Sequence, residues 1–84
     1  TKKVDLVNDK IDKIVLGNNL KNIRIKNGDN QDKTSTIIKV DQSNYSKYEL
    51  GKFLIQTYPL VDFAKHYNVS VDWLCGKTKD SVIK

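Results

Sequence analysis

Several residue types are scarce in this chain, and each shortage excludes a class of structure. Cys75 is the only cysteine among 84 residues, so neither an intrachain disulfide nor a cysteine-cluster zinc site can form. No apolar run exceeds about four residues, which is far too short to span a bilayer, and no signal-peptide pattern is present. These shortages favour a reducing, cytoplasmic setting without membrane attachment.

Histidine is almost absent, so the chain has few side chains suited to catalysis or metal binding. His66 is the only one, and it has no Asp or Cys nearby that would complete a catalytic or metal site. Residues 76–78 (Gly-Lys-Thr) match the end of a phosphate-binding loop, but Val71 stands where that loop needs its earlier glycine. We therefore expect no enzymatic activity, no metal and no cofactor.

Acidic residues are outnumbered by basic ones. The chain carries 15 Lys and Arg against 10 Asp and Glu, for a formal net charge of +5. The excess is spread along the chain and forms no basic tail, so recognition of an anionic partner requires a folded surface. A chain of 84 residues is long enough for one domain with one modest core.

Apolar residues recur at helical spacing, and strand alternation is missing. Segments that begin after capping residues and end near glycine predict five short helices between residues 16 and 78. Asp41 is expected to cap the third helix and Thr57 the fourth. The predicted core positions are Leu16, Leu20, Ile23, Thr34, Ile37, Ile38, Tyr45, Tyr48, Leu60, Phe63, Ala64, Tyr67, Val71, Trp73 and Leu74. The predicted fold class is therefore all-α.

The two ends of the chain are assigned separately from this five-helix unit. Apolar residues near the start fall at helical spacing among charges, at Val4, Val7, Ile11 and Ile14. Residues 1–15 are therefore either an additional amphipathic N-terminal helix or an arm, and we favour the helix. Residues 79–84 form a C-terminal tail, which leaves residues 16–78 as the predicted domain.

The third predicted helix has a polar outward face. Successive helical residues lie about 100° apart, so one face presents the side chains of Gln42, Ser43, Ser46 and Lys47. An amide can pair with adenine, a hydroxyl can donate or accept, and an ammonium can donate to guanine. The face suits the reading of base edges in DNA, although a solvated helix surface can have the same composition.

The surrounding pattern resembles the helix-turn-helix domain of the phage repressor and Cro-like regulators, the XRE family. Residues 30–52 read NQDKTSTIIKVDQSNYSKYELGK. The family's characteristic positions are filled by Gln31, Ser35, Ile38, Val40, Tyr45, Ser46, Glu49, Gly51 and Lys52. Residues 16–28 resemble the family's first helix and residues 60–78 its last two. The resemblance covers about 60 residues without a gap, and it implies a lambda-repressor-like DNA-binding domain.

The resemblance implies a double-stranded DNA operator as partner and assigns roles to residues. Bases in the major groove would be contacted by Gln42, Ser43 and Lys47, with Asp41 and Ser46 at the edge of that contact. Phosphates would be held by Gln31, by Lys52 and by backbone N–H groups near Leu50 and Gly51. Phosphate contacts fix the register on DNA, and base contacts supply the sequence preference.

Three further positions follow from the same resemblance. Arg24 and Glu49 match a partly buried ion pair that the family often uses, which would orient the third helix. Lys39 stands in the turn where the family often has glycine with positive φ. A lysine in that conformation costs about 1 kcal/mol, and it would place a cation beside the groove, within reach of phosphate.

The loop after the third helix departs most from the family, because it contains Phe53, Leu54 and Ile55 where relatives usually have polar residues. These three residues are either extra core or a homodimer contact, since exposed apolar patches mark interfaces. Dimers in this family place two recognition helices about one DNA turn apart.

These patterns predict a bacterial or phage-encoded transcriptional regulator, most simply a repressor that binds a palindromic operator as a homodimer. Two alternatives stay open. One is an antitoxin that represses its own operon and adds a protein partner, through residues 1–15 or residues 53–55. The other is a protein-interaction module that kept the fold and lost DNA binding.

Overall fold

The computed structural model describes residues 11–77. The helices of this part are α1 (Lys13–Lys26), α2 (Gln31–Ile37), α3 (Gln42–Glu49), α4 (Thr57–Tyr67) and α5 (Val71–Leu74). The prediction of an all-α fold with five helices is confirmed. Val4 and Val7 of the proposed N-terminal helix lie outside the described residues, as does the tail at 79–84. No helix of the described part is long and apolar enough to cross a membrane.

Capping side chains determine where most helices begin. Asn30, Asp41 and Ser70 accept hydrogen bonds from backbone N–H groups at the starts of α2, α3 and α5. Asp12 does the same for α1 by accepting from the Ile14 N–H at 2.9 Å. The first helix therefore begins before Leu16, and the predicted boundary between residues 15 and 16 falls inside it.

The start of α4 differs from the prediction. Thr57 was expected to cap this helix, but it is the first helical residue, and Gln56 precedes it without a side-chain cap bond. Pro59 still lies in the first turn, where its missing N–H would have no helical partner in any case. The prediction of a Thr57 cap is wrong.

The core lies between the helices, with α1 packed on α3 and α5, α2 on α3 and α4, and α4 on α5. The buried apolar residues are Leu16, Leu20, Ile23, Ile38, Tyr45, Ile55, Leu60, Phe63, Ala64, Val69, Leu74 and Cys75. Fully burying one such large side chain contributes about 1.5–3 kcal/mol. The predicted positions Ile37, Tyr48, Tyr67, Val71 and Trp73 are partly buried and pack against this cluster.

The backbones of α1 and α3 come close together at Gly17. A Cβ atom there would collide with the carbonyl oxygen of Tyr48 and would lie 2.7 Å from that of Glu49. Only glycine leaves room for the α3 backbone at this distance. Gly17 therefore allows α3 to lie this close to α1.

Candidate nucleic-acid interface

The turn between α2 and α3 closes through backbone hydrogen bonds. The Val40 N–H donates to the Ser35 carbonyl at 2.9 Å, and the Lys39 N–H donates to the Thr36 carbonyl at 3.2 Å. This paired closure needs a left-handed residue just after the helix, and Lys39 supplies it with φ 62°. The predicted positive φ at Lys39 is confirmed, and its side chain is exposed beside the start of α3.

The α3 helix buries one edge and exposes the other. Tyr45 and Glu49 are buried, and Tyr48 is partly buried against the core. The opposite face carries the five residues expected to meet bases, of which Asp41, Gln42 and Ser43 are exposed and Ser46 and Lys47 half-buried. The structure thus brings these five to one surface, and their contacts with DNA stay predictions.

Two of these five residues bind each other. The Asp41 carboxylate accepts from the Ser43 N–H at 3.1 Å and also from the Ser43 hydroxyl. These hydrogen bonds, led by the hydroxyl, hold the pKa of Asp41 below its ordinary value. In this arrangement the Ser43 hydroxyl offers an outside partner its lone pairs and not its proton.

The ion pair expected between α1 and the end of α3 is present. Arg24 Nε donates to Glu49 Oε2 at 2.6 Å, and Arg24 Nη2 donates to Glu49 Oε1 at 3.0 Å. The side chains are 12% and 3% exposed, respectively. Burial acts to raise the pKa of Glu49, but the hydrogen bonds from Arg24 and Gln31 outweigh it and lower the pKa. The carboxylate is therefore charged and held by a forked pair.

Gln31 also contacts Glu49, and the sequence did not indicate this contact. Its Nε2 donates to Glu49 Oε1 at 3.0 Å, so the start of α2 is tied to the end of α3. The predicted phosphate contact of Gln31 stays a prediction. An amide has two N–H donors and a carbonyl acceptor, so the contact with Glu49 leaves one donor for another partner.

The Tyr45 hydroxyl lies beneath this network. It is buried and has no hydrogen-bond partner among the described residues. Burial, reinforced by a polar contact with the nearby Glu49 carboxylate that falls short of good hydrogen-bond geometry and by its negative charge, raises the pKa of Tyr45 far above its ordinary value. The ring therefore fills the core while its polar end remains unsatisfied, which costs free energy.

A second polar network lies between α2 and α4. The Tyr67 hydroxyl donates to Asp29 Oδ2 at 2.7 Å, and it lies 2.8 Å from Thr34 Oγ1. Asp29 also accepts from Lys33 at 3.1 Å. Thr34 is buried, at a predicted core position, so beneath α2 a hydrogen-bonded hydroxyl stands beside the apolar contacts of the core.

The backbone N–H groups at the end of α3 have partners within the chain. Backbone N–H groups near Gly51 were expected to bind phosphate, but the Gly51 N–H donates to the Tyr48 carbonyl at 3.1 Å. The neighbouring Lys52 N–H likewise donates to the Lys47 carbonyl at 3.0 Å. Gly51 is buried, with φ 77°. Closing the helix end already uses these donors, and the phosphate contact assigned to Gly51 stays a prediction.

Two ammonium groups nevertheless lie near this end of α3. The Lys52 side chain is exposed, as its predicted phosphate contact requires. Lys13 was not singled out in the sequence, but its Nζ donates to the Lys52 carbonyl at 3.3 Å. The structure therefore places an ammonium group from α1 beside the backbone of Lys52.

The three apolar residues after α3 divide between the two predicted uses. Ile55 is 5% exposed and belongs to the core, which is the first of the two predicted uses. Phe53 and Leu54 are 49% and 47% exposed. The Phe53 ring also lies under Lys47, whose Nζ is 5.4 Å from the ring centroid. A base-reading candidate and a dimer candidate are thus in contact, which the sequence did not indicate.

The remaining titratable residues form no comparable site. Among residues 11–77, no group of three or more His, Cys, Asp or Glu side chains could hold a metal ion. Cys75 lies in the core, and burial raises the pKa of its thiol. His66 is exposed, as predicted, and its ring contacts Tyr67 edge-on.

Comparison with known proteins identifies the part of the chain that carries these features. A family model described as "Helix-turn-helix domain" matches residues 17–78, nearly three quarters of the chain. The match begins in α1 and includes the whole of α2, the turn and α3. No curated protein matches the chain.

Proposed function

Because the chain belongs to the helix-turn-helix family of phage repressor and Cro-like (XRE-type) regulators, we propose that it binds double-stranded DNA in a sequence-specific manner and represses transcription by occupying a promoter. The observation that carries this proposal is the position of α3. Its buried edge is fixed by Tyr45 and by the Arg24–Glu49 pair, and its other face presents amide, hydroxyl and ammonium groups. Such a role belongs in the cytoplasm of a bacterium.

The proposed division of labour follows the chemistry of the exposed groups. In the major groove, Gln42 and Lys47 select bases, because they offer paired amide bonds and a point charge. Ser43 accepts, with Asp41 and Ser46 at the edge of the contact. Outside the groove, the phosphates are held by Gln31, Lys39 and Lys52, whose amide and ammonium groups are suited to bind anionic oxygen without reading sequence.

The proposed assembly is a homodimer on a palindromic operator. Phe53 and Leu54 are about half exposed on the loop that follows α3. Exposed apolar residues beside a recognition helix suit a contact between two copies, which would set the two helices one DNA turn apart. This contact is smaller than the sequence suggested, since Ile55 is part of the core.

The test begins with selection from a random duplex library, which yields the operator, its symmetry and its half-site spacing. We expect Gln42→Ala to relax preference at one base position at a cost of about 1–3 kcal/mol. Lys52→Ala should weaken binding to every sequence and lower the slope of log K against log[salt] by about one.

The outcomes separate the proposal from its rival. Equal effects of both substitutions on every sequence would contradict the division between base and phosphate contacts. Binding to no duplex in the library, or binding that ignores salt, would instead support a protein-interaction module.

A further inference from the structure

The contact between Lys47 and Phe53 is built into the end of α3. Both the Lys52 and the Phe53 N–H groups donate to the Lys47 carbonyl, at 3.0 and 3.5 Å. Gly51, with φ 77°, reverses the chain so that these bonds can form. The reversal brings the Phe53 ring back to Lys47, six residues earlier in the chain. The Lys47 ammonium lies 5.4 Å from the centroid of the ring.

The distance and chemistry are those of a cation–π contact. A lysine ammonium is attracted to the face of an aromatic ring when it lies within about 6 Å of the centroid. Lys47 is the only lysine in α3, and it is half-buried beside the exposed polar face. A free lysine side chain has a flexible four-carbon stem and can reach several acceptors, whereas one held against a ring is restricted to fewer.

We propose that Phe53 is a positioning residue for Lys47, and that it sets the sequence preference at the one base pair that Lys47 meets. The inference rests on the proposed DNA-binding function. The ring attracts the positive charge of the ammonium group and does not use up its N–H donors. These donors of Lys47 remain available to O6 and N7 of a guanine. Phe53 thus narrows the choice of acceptor without contacting the base.

Two substitutions separate this role from a contribution to dimerisation. Phe53→Leu keeps an apolar side chain for a protein contact and removes the aromatic face. Phe53→Tyr keeps the aromatic face. A role in packing alone predicts that leucine is tolerated, whereas a role in positioning Lys47 predicts that tyrosine is tolerated and leucine is not.

The first measurement needs no DNA. A proton held over a ring face is shifted upfield in the NMR spectrum, so the Lys47 side-chain protons nearest the ammonium should show this shift in the parent chain. The shift should persist in Phe53→Tyr and disappear in Phe53→Leu. Lys47 protons at ordinary positions in the parent would overturn the proposal, because the contact would then be absent in solution.

The second measurement uses the operator obtained by library selection and its single-base variants, at fixed salt. Phe53→Leu should reduce discrimination at one base pair by about twofold to fivefold, and Phe53→Tyr should not. Discrimination at the Gln42 position should be unchanged in both. In a Lys47→Ala background, Phe53→Leu should have no further effect at the Lys47 position.

Each result that would contradict the expectation has a different meaning. If Phe53→Leu weakens all operator variants by the same factor, or lowers the sedimenting mass, Phe53 contributes to stability or dimerisation and the proposal is overturned. If the parent chain selects an operator and Phe53→Leu discriminates as well as the parent, only the role of Phe53 fails. If the parent selects no sequence at all, the proposed DNA-binding function fails first.

Discussion

Replacing Arg24 by methionine isolates the energetic role of the pair beneath α3. The substitution keeps much of the side-chain length but removes two hydrogen bonds to Glu49 and one from Nη1 to the Asp29 carbonyl. Glu49 is then left as a buried carboxylate with Gln31 as its remaining partner. Removing one member of a buried pair costs about 3–5 kcal/mol, a large part of the 5–15 kcal/mol that typically stabilises a domain.

The stability lost in Arg24→Met should depend on pH, and the direction of that dependence follows from the pKa of Glu49. In the parent, the pKa of Glu49 is lowered, so its contribution is present above the unfolded pKa and is lost as pH falls through the folded pKa. In Arg24→Met, burial should dominate and raise the pKa of Glu49, so the variant loses stability as pH rises. The difference in free energy of unfolding should therefore be largest near about pH 7 and smaller near about pH 5.

Urea unfolding followed by Trp73 fluorescence and by circular dichroism measures this difference. Lys33→Met is the matched control, because Lys33 pairs with Asp29 from an exposed position and exposed pairs contribute little. The double variant Arg24→Met/Glu49→Leu should regain most of the lost stability, since a buried ion pair replaced by apolar residues is often neutral or stabilising.

Two results would refute this reasoning. A loss below about 1 kcal/mol for Arg24→Met would mean that water screens the pair as it does at a surface. A double variant as unstable as Arg24→Met would mean that the unpaired carboxylate is not the cause. If the double variant is stable but binds the operator less well, the pair serves mainly to orient α3.

The remaining predictions concern packing and assembly. Gly17→Ala should destabilise the fold by about 1–3 kcal/mol in urea unfolding, because the Cβ of the alanine overlaps the α3 backbone. Asn18→Ala, at an exposed neighbouring position, is the control. An equally small change in both variants would contradict the close approach of α1 and α3. Tyr45→Phe should be neutral or stabilising in the same assay, because it deletes a buried hydroxyl without a partner, and a clear loss would reveal a hydrogen bond. Leu54→Asp should lower the mass in sedimentation if the parent is dimeric, and an unchanged mass excludes this dimer contact.

Much of the fold follows from short stretches of sequence. Asp41 could be identified as a cap because capping needs only a suitable side chain at a helix start. The apolar stripe of α4 could be read from its spacing. The polar face of α3 and its family resemblance required no knowledge of other helices. Such features depend on contacts within a few residues, which is why the residues alone determine them.

Other features depended on how distant segments meet. Phe53, Leu54 and Ile55 are consecutive and similarly apolar, yet only Ile55 enters the core, because the direction of the chain after Gly51 decides which side chain turns inward. The sequence likewise did not indicate that the Gly51 N–H donates to the Tyr48 carbonyl, because that bond depends on how the chain turns at the end of α3.

The sequence by itself determined the presence of the helices, the Asp41 cap and the polar character of α3, because these are set by local hydrogen bonding and by the period of the helix. Tertiary structure decided that Gln31 reaches Glu49, that Lys13 lies beside Lys52, and that Lys47 lies over an aromatic ring. Each of these contacts needs a particular meeting of elements in three dimensions. Side-chain chemistry shows what a group can bind, and only the packing of the helices shows which partner is within reach.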